Sequence, residues 1–313
     1  MRLKLGRPDL AQYVDRFDVP VAGEGDLSVT FLGVATLHVD DGSSAILTDG
    51  FFSRPGLFDV GVRRISPNLA RIEACLERAG IGRLEAVLPV HTHFDHALDS
   101  AVVADRTGAM LVGGASAAQI GAGHGLAPER IRVAEPGQPM SFGPYEITMI
   151  ESEHCPPDRF PGVIDEPLTP PAKASAYRCG EAWSIVVRHT SGRSLLIQGS
   201  AGYVEGALTG EEADVAYLGV GQLGIQSDDY IETYWRETVR ATGARHVVLI
   251  HWDDFFRPLT RPLRALPFAG DDLDHTMRVL TGLADADGVR LSFPTVWSRE
   301  NPWEHGRSAA PDA

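Results

Sequence analysis

The sequence is poor in cysteine, in long apolar runs and in positive charge. Its three cysteines, Cys75, Cys155 and Cys179, form no spacing typical of metal or redox sites. No apolar run approaches the ~20 residues that a membrane helix needs. The first residues also lack the apolar core of a signal peptide. We therefore expect a cytoplasmic protein without a transmembrane segment.

Positive charge is scarce as well. The chain has 28 lysines and arginines against 42 acidic residues, which gives a formal net charge of −14. Binding to a phosphate backbone relies on clustered Lys and Arg, so a nucleic-acid partner is not expected. The hydrophobic content of 43% and the charged content of 22% are ordinary for a globular chain, and 313 residues can form one large domain or two small ones.

Metal-ligand side chains, in contrast, are concentrated in residues 91–96, which hold His91, His93, Asp95 and His96. The apolar run at 84–90 predicts a buried strand, so these side chains lie where a strand ends and a loop begins. Zinc accepts imidazole nitrogens and carboxylate oxygens outside cysteine sites. In an extended loop His91 and His93 point to the same side and can bind one ion. Asp95 and His96 are then free to bind a second ion.

Strand and helix patterns alternate in both halves of the chain, which favours two sheets face to face with helices outside. The strands are predicted at 28–32, 36–39, 44–48, 84–90, 110–112, 131–133, 145–150, 214–218 and 247–250, with a hairpin at 183–198. Helices are predicted at 66–80, with Ser66 as N-cap and Pro67 at the first helical position, and at 97–106, 228–242 and 273–283.

Three segments lie outside this pattern. Residues 1–26 are expected to wrap over the surface, and residues 301–313 to form a mobile tail, which leaves a single domain at 27–300. Residues 156–182 contain six prolines and lack periodicity. Long loops inside compact domains are usually functional or disordered. Because this one follows His154, we predict a lid over a pocket, with a passive surface loop as the alternative.

The pattern His-x-His-x-Asp-His resembles the signature of the metallo-β-lactamase-fold hydrolases. The similarity extends from Leu27 to Phe256, and its further motifs are 31–36, 45–50, His154 after a strand, Gly199-Ser200 after the hairpin, and His251. It implies an α/β fold, a four-layer αββα sandwich. The early Gly-x-Ala-Thr and the late His-Trp-Asp-Asp resemble the branch that contains ascorbate-6-phosphate lactonase and N-acyl-phosphatidylethanolamine phospholipase D.

The resemblance also implies how the ligands are shared. One ion is expected on His91, His93 and His154, and the other on Asp95, His96 and His251. Three protein ligands leave one position open, as in catalytic zinc sites. Two ions ~3.5–4 Å apart can share a hydroxide that attacks a substrate. We therefore expect one or two Zn²⁺ ions, or Mn²⁺ or Fe, and hydrolysis of an ester, lactone, amide or phosphodiester in a small-molecule or lipid-like substrate.

Ser200 departs from the family pattern, because many members carry a bridging aspartate there. A serine hydroxyl is a poor zinc ligand, so the second ion is expected to bind more weakly. Ser200 can instead donate a hydrogen bond to a metal-bound water or to the substrate. Together with Asp95 it is our candidate for a catalytic role.

Other residues allow two interpretations. Asp49 either orients a ligand imidazole or caps a turn. Asp253 and Asp254 either support the site or are solvated acids. Cys155 either lines the site or is a buried inert thiol. Among the other histidines, His38 is expected in the core, and most of His124, His189, His246, His275 and His305 are expected to be exposed or structural. Tyr203, Trp252 and Phe255 either pack in the core, which is the expectation, or line an apolar pocket.

Three other functions compete with a general hydrolase. One is a true β-lactamase. Another is an iron-containing redox protein on the same scaffold, against which Ser200 and the lack of a second domain count. The third is a metal-binding protein that has lost catalysis, an interpretation that the full set of six ligands opposes.

Overall fold

The computed structural model describes residues 4–304, which form two seven-stranded sheets and a two-stranded ribbon. The strands in chain order are β1 (Ser28–Phe31), β2 (Leu37–Asp40), β3 (Ala45–Thr48), β4 (Arg64–Ile65), β5 (Ala86–Leu88), β6 (Met110–Gly113), β7 (Ile131–Val133), β8 (Pro139–Phe142), β9 (Tyr145–Ser152), β10 (Ala172–Lys173), β11 (Ala182–His189), β12 (Ser194–Gln198), β13 (Val215–Gly219), β14 (His246–Ile250), β15 (Arg290–Ser292) and β16 (Arg299–Glu300).

Helices cover the outer faces of both sheets. They are α1 (Leu57–Val62), α2 (Leu69–Arg78), α3 (Phe94–Ala97), α4 (Ser100–Thr107), α5 (Ala115–Gly123), α6 (Asp228–Trp235) and α7 (Leu273–Asp287). Helix α6 continues as a π-helical turn at Arg236–Arg240, and short 3-10 helices lie at Leu10–Arg16, Pro128–Arg130, Ala174–Ala176 and Leu223–Ile225. None of the helices in residues 4–304 combines the length and the hydropathy that crossing a bilayer requires.

Both sheets are mixed. The first has the order β16-β1-β2-β3-β5-β6-β7, and the second has the order β15-β14-β13-β12-β11-β9-β8. Strands β3, β5, β6 and β7 are parallel in the first sheet, as are β12, β13, β14 and β15 in the second. Strand β9 is antiparallel to β11, which is antiparallel to β12, so β9 also runs in the direction of β12.

Alternation along the strands of the first sheet separates two cores. Ile46 of β3 and Leu88 of β5 face the second sheet, whereas Leu47 and Val87 face the outer helices α2 and α4. Period-two alternation gives each strand two faces, and here both faces are apolar because both are covered. Helices α6 and α7 cover the far side of the second sheet. The predicted αββα sandwich is confirmed.

All the predicted strands are present, and the corrections concern helix bounds and elements that were not predicted. Helix α2 begins at Leu69 rather than after Ser66, because the side chain of Asn68 caps it by accepting a hydrogen bond from the Arg71 N–H. The helix predicted at 97–106 is α4, which begins at Ser100. The elements that were not predicted are helices α1, α3 and α5 and strands β4, β8, β10, β15 and β16. Helix α5 is rich in alanine and glycine, so it shows little of the apolar periodicity that marks a helix.

The predicted insertion at 156–182 is a packed segment with its own short elements. Its strand β10 pairs with β4, and the buried side chains of Ile164 and Tyr177 join the core outside the first sheet. The described part of the N-terminal segment lies on the second-sheet side, where Phe17 stacks on Phe293 at 5.2 Å between ring centroids. Asn301, at the start of the predicted tail, is buried and donates its N–H to Pro20, whereas positions 305–313 lie outside the described residues.

Candidate metal centre

The proposed ligands meet at one edge of the sandwich, where parallel strands of both sheets end. Asp49 follows β3 and His91 follows β5 in the first sheet. His154 follows β9, Ser200 follows β12 and His251 follows β14 in the second sheet. The carboxyl ends of parallel strands share an edge, and ligand sites in α/β sheets commonly lie there. The two sheets thus deliver side chains that are far apart in sequence to one place.

The first group brings together His91, His93 and His154, whose ligand atoms lie within 4.8 Å of one another. Nε2 of His91 is 3.1 Å from Nδ1 of His93. Two nitrogens bound to one tetrahedral zinc at its usual bond length are roughly 3.3 Å apart, so this spacing is that of two ligands of one ion. The rings are nearly perpendicular to each other, at 85°.

Hydrogen bonds fix which nitrogen is free in two of the three rings of this group, those of His93 and His154. Nε2 of His93 faces the Asp158 carboxylate at 3.1 Å and the Phe160 carbonyl at 3.4 Å. Nδ1 of His154 faces the Cys155 carbonyl at 2.7 Å. A carbonyl or an ionised carboxylate accepts and does not donate, so each of these nitrogens carries the proton. The lone pairs of His93 Nδ1 and His154 Nε2 are left for a metal ion.

The second group contains Asp95, His96 and His251, all buried and with ligand atoms within 4.8 Å. The Nε2 atoms of His96 and His251 are 3.2 Å apart. Oδ2 of Asp95 lies 3.6 Å from Nε2 of His251 and 3.8 Å from Nε2 of His96. Nδ1 of His96 donates to Oδ2 of Asp49 at 2.7 Å, which leaves Nε2 of His96 as a lone pair toward the group.

The protonation states of these residues suit a bound cation. Burial and then the neighbouring histidines hold the pKa of His91 well below its usual value, and burial and His93 lower the pKa of His154 to about 4. Burial would raise the pKa of Asp95, but His96 and His251 bring it well below its usual range. Neutral imidazoles and an ionised carboxylate are the forms that bind metals.

The arrangement of the ring nitrogens also fits a bound cation. In the neutral rings Nδ1 of His93 and Nε2 of His96 are lone pairs, yet each faces a further ring nitrogen at about hydrogen-bond distance. The opposite nitrogens, Nδ1 of His91 and Nδ1 of His251, are buried without a hydrogen-bond partner among the described residues. Burial would lower the pKa of His96, but Asp49 and Asp95 raise it overall, which shows that this position favours positive charge.

A buried ion pair stabilises the backbone that positions His251 of the second group. Arg54 and Asp253 are both fully buried and joined through Nη2 and Oδ2. The other oxygen of Asp253 accepts the Val34 N–H at 2.8 Å, and the Val34 carbonyl accepts the His251 N–H at 2.7 Å. Val34, Asp49, Arg54 and His251 all have positive φ, which is uncommon for residues other than glycine. The backbone under the second group is thus strained and tightly held.

Ser200 lies beside His154 and is engaged by the backbone. Its hydroxyl oxygen accepts the Cys155 N–H at 3.0 Å, and its carbonyl accepts from Gln198 Nε2 at 3.0 Å. The hydroxyl therefore holds the turn that carries His154. A bridging position between two ions stays a prediction. Cys155 is buried and contacts Gln226, and it belongs to none of the ligand groups found in residues 4–304.

The alternatives left open by the sequence are decided by contacts. Asp49 orients His96 rather than only capping a turn. Asp253 is buried in the pair with Arg54, and Asp254 binds Arg264 at 2.9 Å, so neither is a solvated acid. Trp252 packs in the core against Phe17, Phe31 and Phe293, as expected. Phe255 instead lies against His251, with ring centroids 5.9 Å apart.

The other histidines have structural partners or core positions. His38 is buried in β2, where desolvation lowers its pKa to about 4. His246 contacts the Pro302 carbonyl and Ser292, and His275 contacts the Gly224 carbonyl and Asp228. His189 lies at the opposite end of β11 from the site, near Asp41. The expectation for His305 falls outside the described residues.

Two residues at the site were missed by sequence reasoning. Asp158 contacts His93 from inside the insertion, but its four-residue distance from His154 matches no ligand spacing. Arg54 gave no signal either, because a lone arginine is normally exposed. A separate cavity of about 230 Å³ lies against α4 and α5, lined in part by Asp105, Arg106 and His124, and none of its lining residues is a proposed ligand.

Comparison with known proteins identifies the fold. No protein-family model matches the chain, and no curated protein matches it significantly. Among solved structures it is similar to Igni18, a metallo hydrolase from the archaeon Ignicoccus hospitalis, with 15% identity, a TM-score of 0.51, and 87% of this chain and 95% of that chain covered. A possible metal-dependent hydrolase from Veillonella parvula gives 14% identity, a TM-score of 0.52, and coverage of 87% and 98%.

A third similar structure has a different activity. CmlA, a diiron β-hydroxylase from Streptomyces venezuelae, gives 14% identity and a TM-score of 0.54, with 88% of this chain and 54% of that chain covered. Identities this low establish the architecture and not the reaction. The similar structures, together with the two mixed sheets and their flanking helices, show that this chain has the metallo-β-lactamase fold.

Proposed function

We propose that the protein is a metal-dependent hydrolase with two adjacent metal positions, acting on an ester, lactone or phosphodiester. One observation carries the proposal. Two groups of three ligands lie side by side, and hydrogen bonds turn the lone pairs of His93, His96 and His154 inward. Three protein ligands per ion leave a position for water or substrate, which is typical of catalytic sites.

The residues of the chain would have separate roles at such a site. A zinc ion bound there would supply a Lewis acid and a nucleophilic water near neutral pH. His91, His93 and His154 would hold one ion, and Asp95, His96 and His251 would hold the other. Asp95 stays ionised and keeps 12% of its side chain exposed, so a carboxylate oxygen can accept a hydrogen bond from water on the open side. No serine or cysteine nucleophile is needed.

Aromatic side chains beside both groups support a substrate with an apolar part. The Phe160 ring lies 6.2 Å from that of His93, and the Phe255 ring lies 5.9 Å from that of His251. Phe256 extends the second surface by packing on Phe255 at 4.4 Å. Ligand sites are mostly apolar with few polar groups. These rings favour a small or lipid-like acyl or ester substrate, in keeping with the lactonase and phospholipase D branch that the sequence resembles.

The iron-containing alternative has one point in its favour, the similarity in fold to a diiron β-hydroxylase. Histidine and carboxylate ligands suit iron as well as zinc. Ser200 at the proposed bridging position speaks for the hydrolase, because it supplies no carboxylate between the ions. A β-lactam substrate differs from a lactone mainly in its leaving group, so it belongs in the same assay.

The test combines metal analysis with a substrate panel. The purified protein is analysed for zinc, manganese and iron, and lactones, phosphodiesters, thioesters and β-lactams are assayed with each metal. We expect zinc-supported turnover of at least one ester-like class, lost in His93→Ala and kept in His189→Ala, which removes a histidine at the far edge of the sheet. Full activity of His93→Ala after removal of metal would defeat the proposal.

A further inference from the structure

The outward side of His93 meets the insertion rather than the body of the fold. Nε2 of His93 is 3.1 Å from an Asp158 carboxylate oxygen and 3.4 Å from the Phe160 carbonyl. The Asp158 side chain is 23% exposed, whereas that of His93 is 8% exposed. Both acceptors therefore belong to a segment at the surface, and they accept the Nε2–H of His93, which leaves Nδ1 of His93 as the lone pair for a metal ion.

A third residue of the insertion adjoins this contact. The thiol of Cys179 lies with Asp158 and His93 in a cluster whose polar atoms are within 4.8 Å of one another. Cys179 is 6% exposed, and burial raises the pKa of its thiol to about 12, so it remains a donor. A weak S–H donor beside a carboxylate has one natural partner, the oxygen of Asp158. The Asp158 carboxylate thus has a donor on each side, the Cys179 thiol and the His93 ring.

Backbone hydrogen bonds clamp the insertion to the metal-binding loop. The Thr92 N–H donates to the Cys179 carbonyl at 2.8 Å, and the Cys179 N–H donates to the Phe160 carbonyl at 2.9 Å. The Gly180 N–H donates to the Gly162 carbonyl at 2.9 Å. Because Thr92 lies between His91 and His93, these hydrogen bonds fix the position of the insertion, and with it Asp158, relative to Nε2 of His93. A passive surface loop would not be tied to the ligand loop in this way.

We propose that Asp158, held by Cys179, is a positioning residue that fixes the tautomer and the ring orientation of His93, so that the insertion completes the first metal position. The proposal rests on the proposed metal centre and goes beyond it by assigning a role to the insertion. A carboxylate that accepts the outer N–H of a metal-binding histidine raises its basicity as a ligand, and removing such a partner typically lowers metal affinity by about 10–100-fold.

The same three side chains could instead bind a further cation, since thiolate, imidazole and carboxylate are all zinc ligands. That arrangement would require Nε2 of His93 to lose its proton while Nδ1 binds the first ion. It would also require the buried Cys179 thiol to ionise. A hydrogen-bonded chain needs neither change, and the 3.1 Å separation between His93 and Asp158 is already a hydrogen-bond length. The two arrangements predict different metal stoichiometries.

The experiment measures zinc affinity and stoichiometry of the full chain by competition with a chromophoric chelator. We expect Asp158→Ala to bind the first ion about 10–100-fold more weakly, and Asp158→Asn, which keeps an acceptor without the charge, to lie between it and wild type. Asp165→Asn, an exposed change in the same insertion, should match wild type. Cys179→Ala should weaken binding by less than about threefold, since a thiol is a weak donor.

A second readout follows the ring itself. Long-range proton–nitrogen NMR on histidine-labelled zinc protein should show Nε2 of His93 protonated in wild type and in Asp158→Asn, with the resonance broadened in Asp158→Ala. Affinity of Asp158→Ala within twofold of wild type would overturn the proposal. So would loss of one zinc equivalent in Cys179→Ala, which would indicate a third ion, or a wild type that binds no zinc. If wild type binds zinc as expected but hydrolyses nothing in the panel, the proposed function fails and this inference stands.

Discussion

The two ligand groups differ in what holds their imidazoles. Behind the second group, His96 is held by the fully buried Asp49, which follows a central strand of the first sheet. In the first group, His93 is held by the partly exposed Asp158 of the insertion and His154 by the carbonyl of the next residue. The second position is therefore built into the sandwich, whereas the first depends on a surface segment.

Backbone strain is distributed in the same unequal way. Asp49, His251 and Val34, which accepts the His251 N–H, have positive φ, and the first group has no counterpart among its ligands. Such conformations cost about 1–3 kcal/mol each and persist where the surroundings enforce them. The enforcement comes from Asp253, which binds the Val34 N–H and the buried Arg54. The comparison thus predicts that breaking the buried Arg54–Asp253 pair lowers the stability of the fold, whereas changes at Asp49 or Asp158 lower the affinity for the ion of their own group.

The largest expected effect is on stability. Asp253→Ala leaves the Arg54 guanidinium buried without its counter-ion and frees the Val34 N–H, so the free energy of unfolding should fall by about 3–5 kcal/mol. Denaturant titration of the metal-free protein measures this. The control is Asp59→Asn, which breaks the exposed pair with Arg63 and should cost about 0.5 kcal/mol or less. Equal losses in the two variants would show that the buried pair does not enforce the backbone.

How much of this could be predicted from the sequence follows the same division. The local motif at 91–96 predicted a metal site from ligand type and spacing, and the family resemblance added His154, His251 and the division into two ligand groups. Asp49 became a candidate because it lies in a motif of the same resemblance. Asp158 and Arg54 could not be recognised, since their roles arise from tertiary contacts between a loop and a ring or between two buried charges, for which no spacing exists.

The second prediction applies one chemical change to both groups. Asp49→Asn removes the charge and one of two acceptor oxygens, which bind the Val90 N–H and the His96 N–H, and asparagine tolerates positive φ, so no backbone strain is added. We expect affinity for the second ion to fall by about 10–100-fold, and by more than Asp158→Asn lowers affinity for the first. The reason is that Asp49 is fully buried and its charge is not screened by water. Calorimetric zinc titration of both variants decides this, and a larger loss in Asp158→Asn would reverse the comparison.

The third prediction concerns a buried carboxyl without a cation. Burial raises the pKa of Glu300 to about 8, and one of its oxygens has no hydrogen-bond partner among residues 4–304. A raised carboxyl pKa favours the protonated form in the folded state, so stability from Glu300 is complete below its unfolded pKa and is lost as pH rises toward 8. Between pH 5 and pH 8, the free energy of unfolding of the wild type should therefore fall by about 1–2 kcal/mol more than that of Glu300→Gln. Unfolding titrations of both proteins at the two pH values measure the difference, and parallel pH dependences would contradict it.

The smallest expected effect is at Ser200. The serine accepts the Cys155 N–H, and an aspartate can keep that bond with one oxygen while the other turns toward the metal positions. If Ser200 occupies the bridging position, Ser200→Asp adds an anionic ligand and should tighten binding of the more weakly held ion by about tenfold, equivalent to about 1.4 kcal/mol. Turnover should fall, since the added charge weakens the Lewis acid. Ser200→Asn, of similar size but neutral, is the matched control and should leave affinity unchanged. An equal change of zinc affinity in the two variants would mean that Ser200 only stabilises the turn that carries His154. The two ions would then share no ligand from the second sheet.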